Sequence, residues 1–131
     1  HKEDQINFFI SSHILPELEK ICKDVIVIYD GIALEQGSYE SLKEKYFQGI
    51  YKISSDDNET LAKELMKFDT VKKISISTNI LLVKVKNNQY NEFVEILHKV
   101  LKSKDLRLFL FEPLYPSLEE IFKEVVKRYN E

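Results

Sequence analysis

The spacing of apolar positions changes rhythm several times along this chain, and each change marks an element. The first run, Ile6–Ser12, is apolar through Phe8, Phe9 and Ile10 and reads as a strand ending in the polar triplet Ser11-Ser12-His13. Pro16 suits the first turn of a helix, where a missing N–H costs nothing. Ile14, Leu15, Leu18, Ile21 and Cys22 then fall on one helical face. Val25–Tyr29 is a continuous apolar run rich in β-branched residues, the pattern of a strand covered on both faces. Asp30-Gly31 signals a tight hairpin, with Ile32–Gln36 as its return arm. Gly37-Ser38 ends that arm, and Ser38 can cap a helix running to about Tyr46.

A joint near Tyr46–Ile50 separates this half from a more regular one. Ile50–Ser54 reads as a strand. Asp56, Asp57 or Asn58 caps a helix carrying Leu61, Ala62, Leu65, Met66 and Phe68. Val71–Ser77 and Ile80–Lys86 are strands joined at Thr78-Asn79, where asparagine tolerates the left-handed conformation. Asn87 or Asn88 caps a helix whose stripe is Tyr90, Phe93, Val94, Leu97, Val100 and Leu101. Leu106–Phe111 is a further apolar strand. The order βαββαβ is that of a ferredoxin-like α+β domain, an antiparallel sheet with two helices on one face. Beyond it, Ser117 and Glu120 form a capping box before a helix lined by Leu118, Ile121, Phe122, Val125, Val126 and Tyr129. That stripe is expected to cover part of the sheet's other face.

Composition narrows the function. With 131 residues, 44% apolar and 31% charged, the chain is globular, and a net charge of −3 with mixed signs argues against a nucleic-acid partner. Cys22 is the single cysteine, so no disulfide can form within the chain; its place on a helical stripe reads as a small buried hydrophobe rather than a nucleophile. No apolar run approaches the ~20 residues needed to span a bilayer. The three glycines, Gly31, Gly37 and Gly49, are scattered, so neither a phosphate loop nor a dinucleotide fingerprint is present. No zinc-binding spacing appears. Ser11 and Ser12 sit beside His13, but adjacent strand residues point to opposite faces, which argues against a Ser–His nucleophilic pair between Ser12 and His13. His98 falls on a helix flank and His1 is terminal, and neither is assigned a role.

His13 gains meaning from its surroundings. Ile10-Ser11-Ser12-His13, Leu18-Glu19-Lys20-Ile21-Cys22, Val25–Tyr29, Asp30-Gly31 and Gly37-Ser38-Tyr39-Glu40-Ser41-Leu42 follow one another with an order and spacing that resembles the switch-histidine region of the ATP-binding subunit of ABC transporters. One departure is Lys23-Asp24, where that family often has Asp-Arg. Pro116-Ser117-Leu118-Glu119-Glu120-Ile121-Phe122 is similar to the close of such subunits of the drug- and lipid-exporter type, several of which carry a small C-terminal α+β domain. A capped amphipathic helix explains the same residues in full.

The resemblance implies a division. Residues 1–48 would be a remnant of the nucleotide-binding core (β-α-β-β-α), and residues 49–131 a ferredoxin-like accessory domain with an extra C-terminal helix. It implies that His13 is the catalytic and cofactor-binding position, donating a hydrogen bond to the γ-phosphate of ATP at a dimer interface as negative charge develops there. An imidazole that titrates near neutrality can sense that phosphate. The parent chain would hydrolyse ATP with Mg²⁺ to drive a membrane permease. It would pair with a second ATP-binding subunit as a homodimer, in the cytoplasm at the inner face of the membrane. The chain opens with His1 rather than Met and enters a buried strand almost at once, so the phosphate loop, the Mg²⁺ ligands, the catalytic glutamate and the signature motif are expected upstream. Alone, residues 1–131 are expected neither to bind ATP tightly nor to hydrolyse it. A second reading, a free-standing ferredoxin-like regulatory or ligand-binding module, gives His13 no role. Strands of residues 1–46 that have lost sheet neighbours are expected to pack on a second copy or to fold back on the C-terminal part.

Overall fold

A computed structural model describes the backbone of residues 7–9 and residues 24–131 in full. The chain falls into two compact units: His1–Phe47 with Tyr115–Glu131, and Gln48–Leu114.

The first unit contains strands β1 (Asn7–Phe9), β2 (Asp24–Tyr29) and β3 (Ile32–Ser38) in that order across one sheet. β1 runs parallel to β2, and β2 and β3 form an antiparallel hairpin. The hairpin closes at Asp30 and Gly31, with φ of 57° and 73°. Two successive positive φ values give the turn whose twist matches that of the flanking strands, and glycine adopts the second without steric cost. Ser38 caps α1 (Tyr39–Lys45) by accepting a hydrogen bond from the Ser41 amide.

The amphipathic helix α4 (Leu118–Tyr129) belongs to this same unit, and its capping box is formed in full. Leu118, Ile121 and Val125 join Val25, Val27, Leu42 and Tyr46 in one buried cluster. Leu118, Ile121 and Val125 are thus buried within the first unit, where the sequence-based expectation had the stripe on the ferredoxin-like sheet, and Tyr115–Glu131 groups with the first unit rather than with a domain over 49–131. The physical reason lies in the two available surfaces. The hairpin offers a face of Val25 and Val27, whereas the free face of the second sheet carries Lys52, Lys73 and Lys84, whose charges an apolar helix would have to strip of water.

The second unit contains β4 (Ile50–Ser55), α2 (Asn58–Leu65), β5 (Val71–Ser77), β6 (Ile80–Val85), α3 (Tyr90–Ser103) and β7 (Leu108–Pro113). Its sheet order is β5-β6-β4-β7 and every pairing is antiparallel, consistent with a ferredoxin-like α+β fold. Ile53, Leu81, Val83 and Val85 project from the strands into a core with Leu61 and Leu65 of α2 and Phe93, Leu97 and Val100 of α3. Tyr51 and Phe111 extend it as an aromatic wall beside Phe93, with ring centroids 5.5 to 6.1 Å apart.

Of the three N-cap candidates for α2, Asp57 takes the position, accepting from the Thr60 amide at 3.1 Å. Two other local expectations shift. α3 instead starts after Gln89 without a side-chain cap, because Asn88 is used for a left-handed turn with φ of 64°. Met66 is the C-cap of α2 and half exposed rather than part of its buried stripe. At the entrance to the unit, Gly49 has φ of 74°, and a Cβ there would lie 2.9 Å from the Val85 carbonyl oxygen. Only glycine fits that approach. Among the described residues no helix is long and apolar enough to cross a membrane.

Candidate functional site

His13, the position singled out from the sequence, lies outside the described residues, as do Ser11, Ser12 and Cys22. The strand that leads toward it, β1, is described, and its register against β2 is Asn7↔Asp24, Phe8↔Val25 and Phe9↔Ile26. His98 is exposed on α3. Among the described residues there is no grouping of three or more His, Cys, Asp or Glu side chains that could hold a metal ion.

Two polar arrangements stand out, one in each unit. The first begins with a bulge in the β2–β3 hairpin. Ile28 pairs with Ala33 but Val27 pairs with Glu35, so Leu34 is the extra residue. The bulge turns Glu35 to the same side as Val27, where the helices pack. There Glu35 Oε2 accepts from Lys45 Nζ at 2.8 Å and from the Tyr46 hydroxyl at 2.5 Å, while Oε1 accepts from the Gln36 amide at 3.2 Å. Burial pushes the Glu35 pKa up, but these hydrogen bonds outweigh it and hold the carboxyl below its ordinary value. Burial, reinforced by the bond to the Glu35 carboxylate, pushes the Tyr46 phenol up to about 12. The Arg128 guanidinium sits 4.7 Å over the Tyr46 ring, and its Nε donates to Glu124 Oε2 at 3.1 Å. A carboxylate kept ionised with its lone pairs filled does not take up a proton near neutrality. The network acts as a strut joining β3, α1 and α4.

The second arrangement lies on the helix-free face of the other sheet. Pairing around Thr78-Asn79 runs Ser77↔Ile80, Ser75↔Leu82 and Lys73↔Lys84. Across β6 and β4, Lys84 faces Ile50 and Leu82 faces Lys52. Ile50, Lys73, Ser75, Leu82 and Lys84 line a concavity of about 200 Å³. Lys52 is paired with Glu112 at 3.1 Å. Lys73 and Lys84 make no ion pair among the described residues.

Neither arrangement was singled out from sequence. The lysine pair had a signal, since a two-residue turn at Thr78-Asn79 fixes which residues stand opposite. The Glu35 strut had none, because a bulge leaves no mark in the hydrophobic pattern.

Residues 37–126 match the family described as the C-terminal domain of DrrA1-3-like ATP-binding proteins. The chain belongs to that family. The matched span takes in the whole second unit together with α1 and most of α4 of the first. An ABC transporter ATP-binding protein of Mycoplasma pneumoniae is 29% identical over 93% of this chain and 36% of its own length. The bacitracin transport ATP-binding protein BcrA of Bacillus licheniformis is 35% identical over 52% of this chain and 22% of its own. The chain thus spans little more than a third of the first of these curated relatives and less of the second. It is a C-terminal region of an ABC transporter ATP-binding subunit.

Proposed function

We propose that this chain is the C-terminal part of a subunit that hydrolyses Mg-ATP to drive a membrane permease, working as a homodimer at the inner face of the membrane. The likeness to an ABC transporter ATP-binding protein over 93% of the chain carries this reading, because that extent reaches into both units. In the assembled subunit His13 would donate a hydrogen bond to the γ-phosphate, and the rest of the phosphate and Mg²⁺ contacts would come from other parts of the parent chain. The present sequence has no glycine-rich phosphate loop, and its described residues have no carboxylate cluster suited to the metal, so no catalytic step is assigned to them. The ferredoxin-like unit would then regulate or stabilise the ATP-bound dimer, a role supported by its fold and its separate core alone.

The test has two arms. Calorimetry of the 131-residue chain with Mg-ATP is expected to show no micromolar binding; such binding would overturn the division of labour. In the parent subunit, His13→Ala is expected to lower kcat for ATP hydrolysis by about 100-fold or more, the scale for loss of a group that stabilises transition-state charge, while ATP affinity changes far less. Wild-type turnover in that variant would remove His13 from the site.

A further inference from the structure

We infer that the helix-free face of the second unit carries a binding site for a small soluble phosphate-bearing molecule, gripped between Lys73 and Lys84. The site lies apart from the ATP chemistry proposed above and does not depend on it.

Electrostatics supplies the first argument. Like charges directly opposite on an antiparallel pair destabilise it, yet Lys73 and Lys84 are in direct register on β5 and β6. The same face neutralises a lysine elsewhere: Lys52 has Glu112 opposite it on β7, 3.1 Å away. In the neighbouring row the residue beside Lys84 on β4 is Ile50, which offers no charge. Among the described residues, no acidic side chain pairs with Lys73 or Lys84, so the pair is open to an anionic ligand.

Shape and chemistry select the ligand. The lysines border a concavity of about 200 Å³ whose remaining lining is Ile50, Leu82 and Ser75. Ser75 stands opposite Leu82 and two residues along β5 from Lys73, so its hydroxyl is on the same face. Two ammonium groups and a hydroxyl on the lining of one concavity supply several donors. A phosphate monoester carries close to two negative charges at neutral pH and matches both lysines, whereas a carboxylate would match one. Ile50 and Leu82 give an apolar wall for a short carbon skeleton and lower the local dielectric, which strengthens the ionic contacts. The volume is below the ~300–1,000 Å³ of drug-sized sites, so the ligand is a phosphate with few further atoms. A phospholipid surface fits less well, because the contact is concave and Glu112 on the same face would meet the anionic bilayer.

The experiment is an NMR titration of the ¹⁵N-labelled full chain with inorganic phosphate and with glycerol 3-phosphate, against sodium chloride at matched ionic strength. A parallel arm uses phosphatidylcholine vesicles containing phosphatidic acid. Saturable shifts are expected at the amides of Lys73, Ser75, Leu82 and Lys84 with both phosphates and not with chloride. Lys73→Gln and Lys84→Gln should each weaken binding about fivefold, the upper range for one exposed ionic contact. Lys102→Gln, on α3, should leave it unchanged. Both site variants should keep or raise the unfolding temperature, since each relieves a repulsion, and that separates a lost site from a lost fold. Shifts reproduced by chloride, shifts spread evenly over all lysines, or binding to the vesicles alone would each overturn the proposal.

Discussion

The two units bury amphipathic stripes in different ways. The second is one continuous segment whose core is almost wholly apolar, with Ile53, Leu81, Val83 and Phe93 fully enclosed and polar contacts confined to caps and surface. The first is assembled from two distant stretches of chain. Its smaller cluster, around Val25, Val27 and Ile121, is flanked by the Glu35–Lys45–Tyr46 strut and by Tyr39, whose hydroxyl donates to the Pro116 carbonyl at 3.0 Å. Where little apolar area is available to fix a returning helix, directional polar bonds supply orientation. The continuous unit gets its orientation from dense packing.

The contrast can be broken most sharply at Phe93. Phe93→Ala removes the largest enclosed side chain of the second unit and is expected to cost about 3–5 kcal/mol, read as a fall in unfolding free energy by urea denaturation. A loss below about 1 kcal/mol, the level of an ordinary surface change, would mean that this core is not what holds the unit. Ile121→Ala comes next, at about 2–4 kcal/mol. Hydrogen exchange should localise its effect, with faster exchange in β2 and β3 and unchanged protection in β4–β7. Faster exchange confined to the second sheet would reverse the placement of α4.

Tyr46→Phe sharpens the comparison at the smallest scale. Losing a hydrogen bond to a carboxylate should cost about 1–2 kcal/mol near neutral pH. Because the phenol is raised from 10.0 to about 12 in the folded state, its contribution is complete below pH 10 and is lost as pH climbs toward 12. The stability gap between wild type and variant should therefore close over that interval. Glu35 runs the other way. Its depressed pKa contributes above the ordinary carboxylate value of 4.5 and fades as pH falls through the folded-state value. A gap that stayed constant from pH 9 to 12 would show that the Tyr46 proton is not tied to folding.

Much of this architecture was legible in the residues. The turns at Asp30-Gly31 and Thr78-Asn79, the caps at Ser38, Asp57 and Ser117, and the βαββαβ order all depend on local backbone preference and hydrophobic period, which act within a few residues. The destination of α4 was not legible. Leu118, Ile121 and Val125 state that the helix needs an apolar surface, and nothing in a stripe says which surface. The inward turn of Glu35 and the left-handed Asn88 escaped for a related reason, since each is decided by a register or a neighbour beyond its own element. For the candidate site, the reading of His13 came from resemblance. The lysine pair could have been found by counting outward from its turn, but two lysines facing one another look like ordinary solvated strand residues until their rows are aligned.

The discontinuity of the first unit has a consequence during synthesis. Gln48–Leu114 leaves the ribosome as one stretch and can complete its sheet at once. Among the described residues, the helix that covers Val25, Val27 and Leu42 is Leu118–Tyr129, and it emerges last. Through that delay the hairpin's apolar strand face is available to other nascent chains. A stop codon between Leu114 and Leu118 would make the delay permanent, leaving a finished inner unit and a hairpin still waiting for its lid.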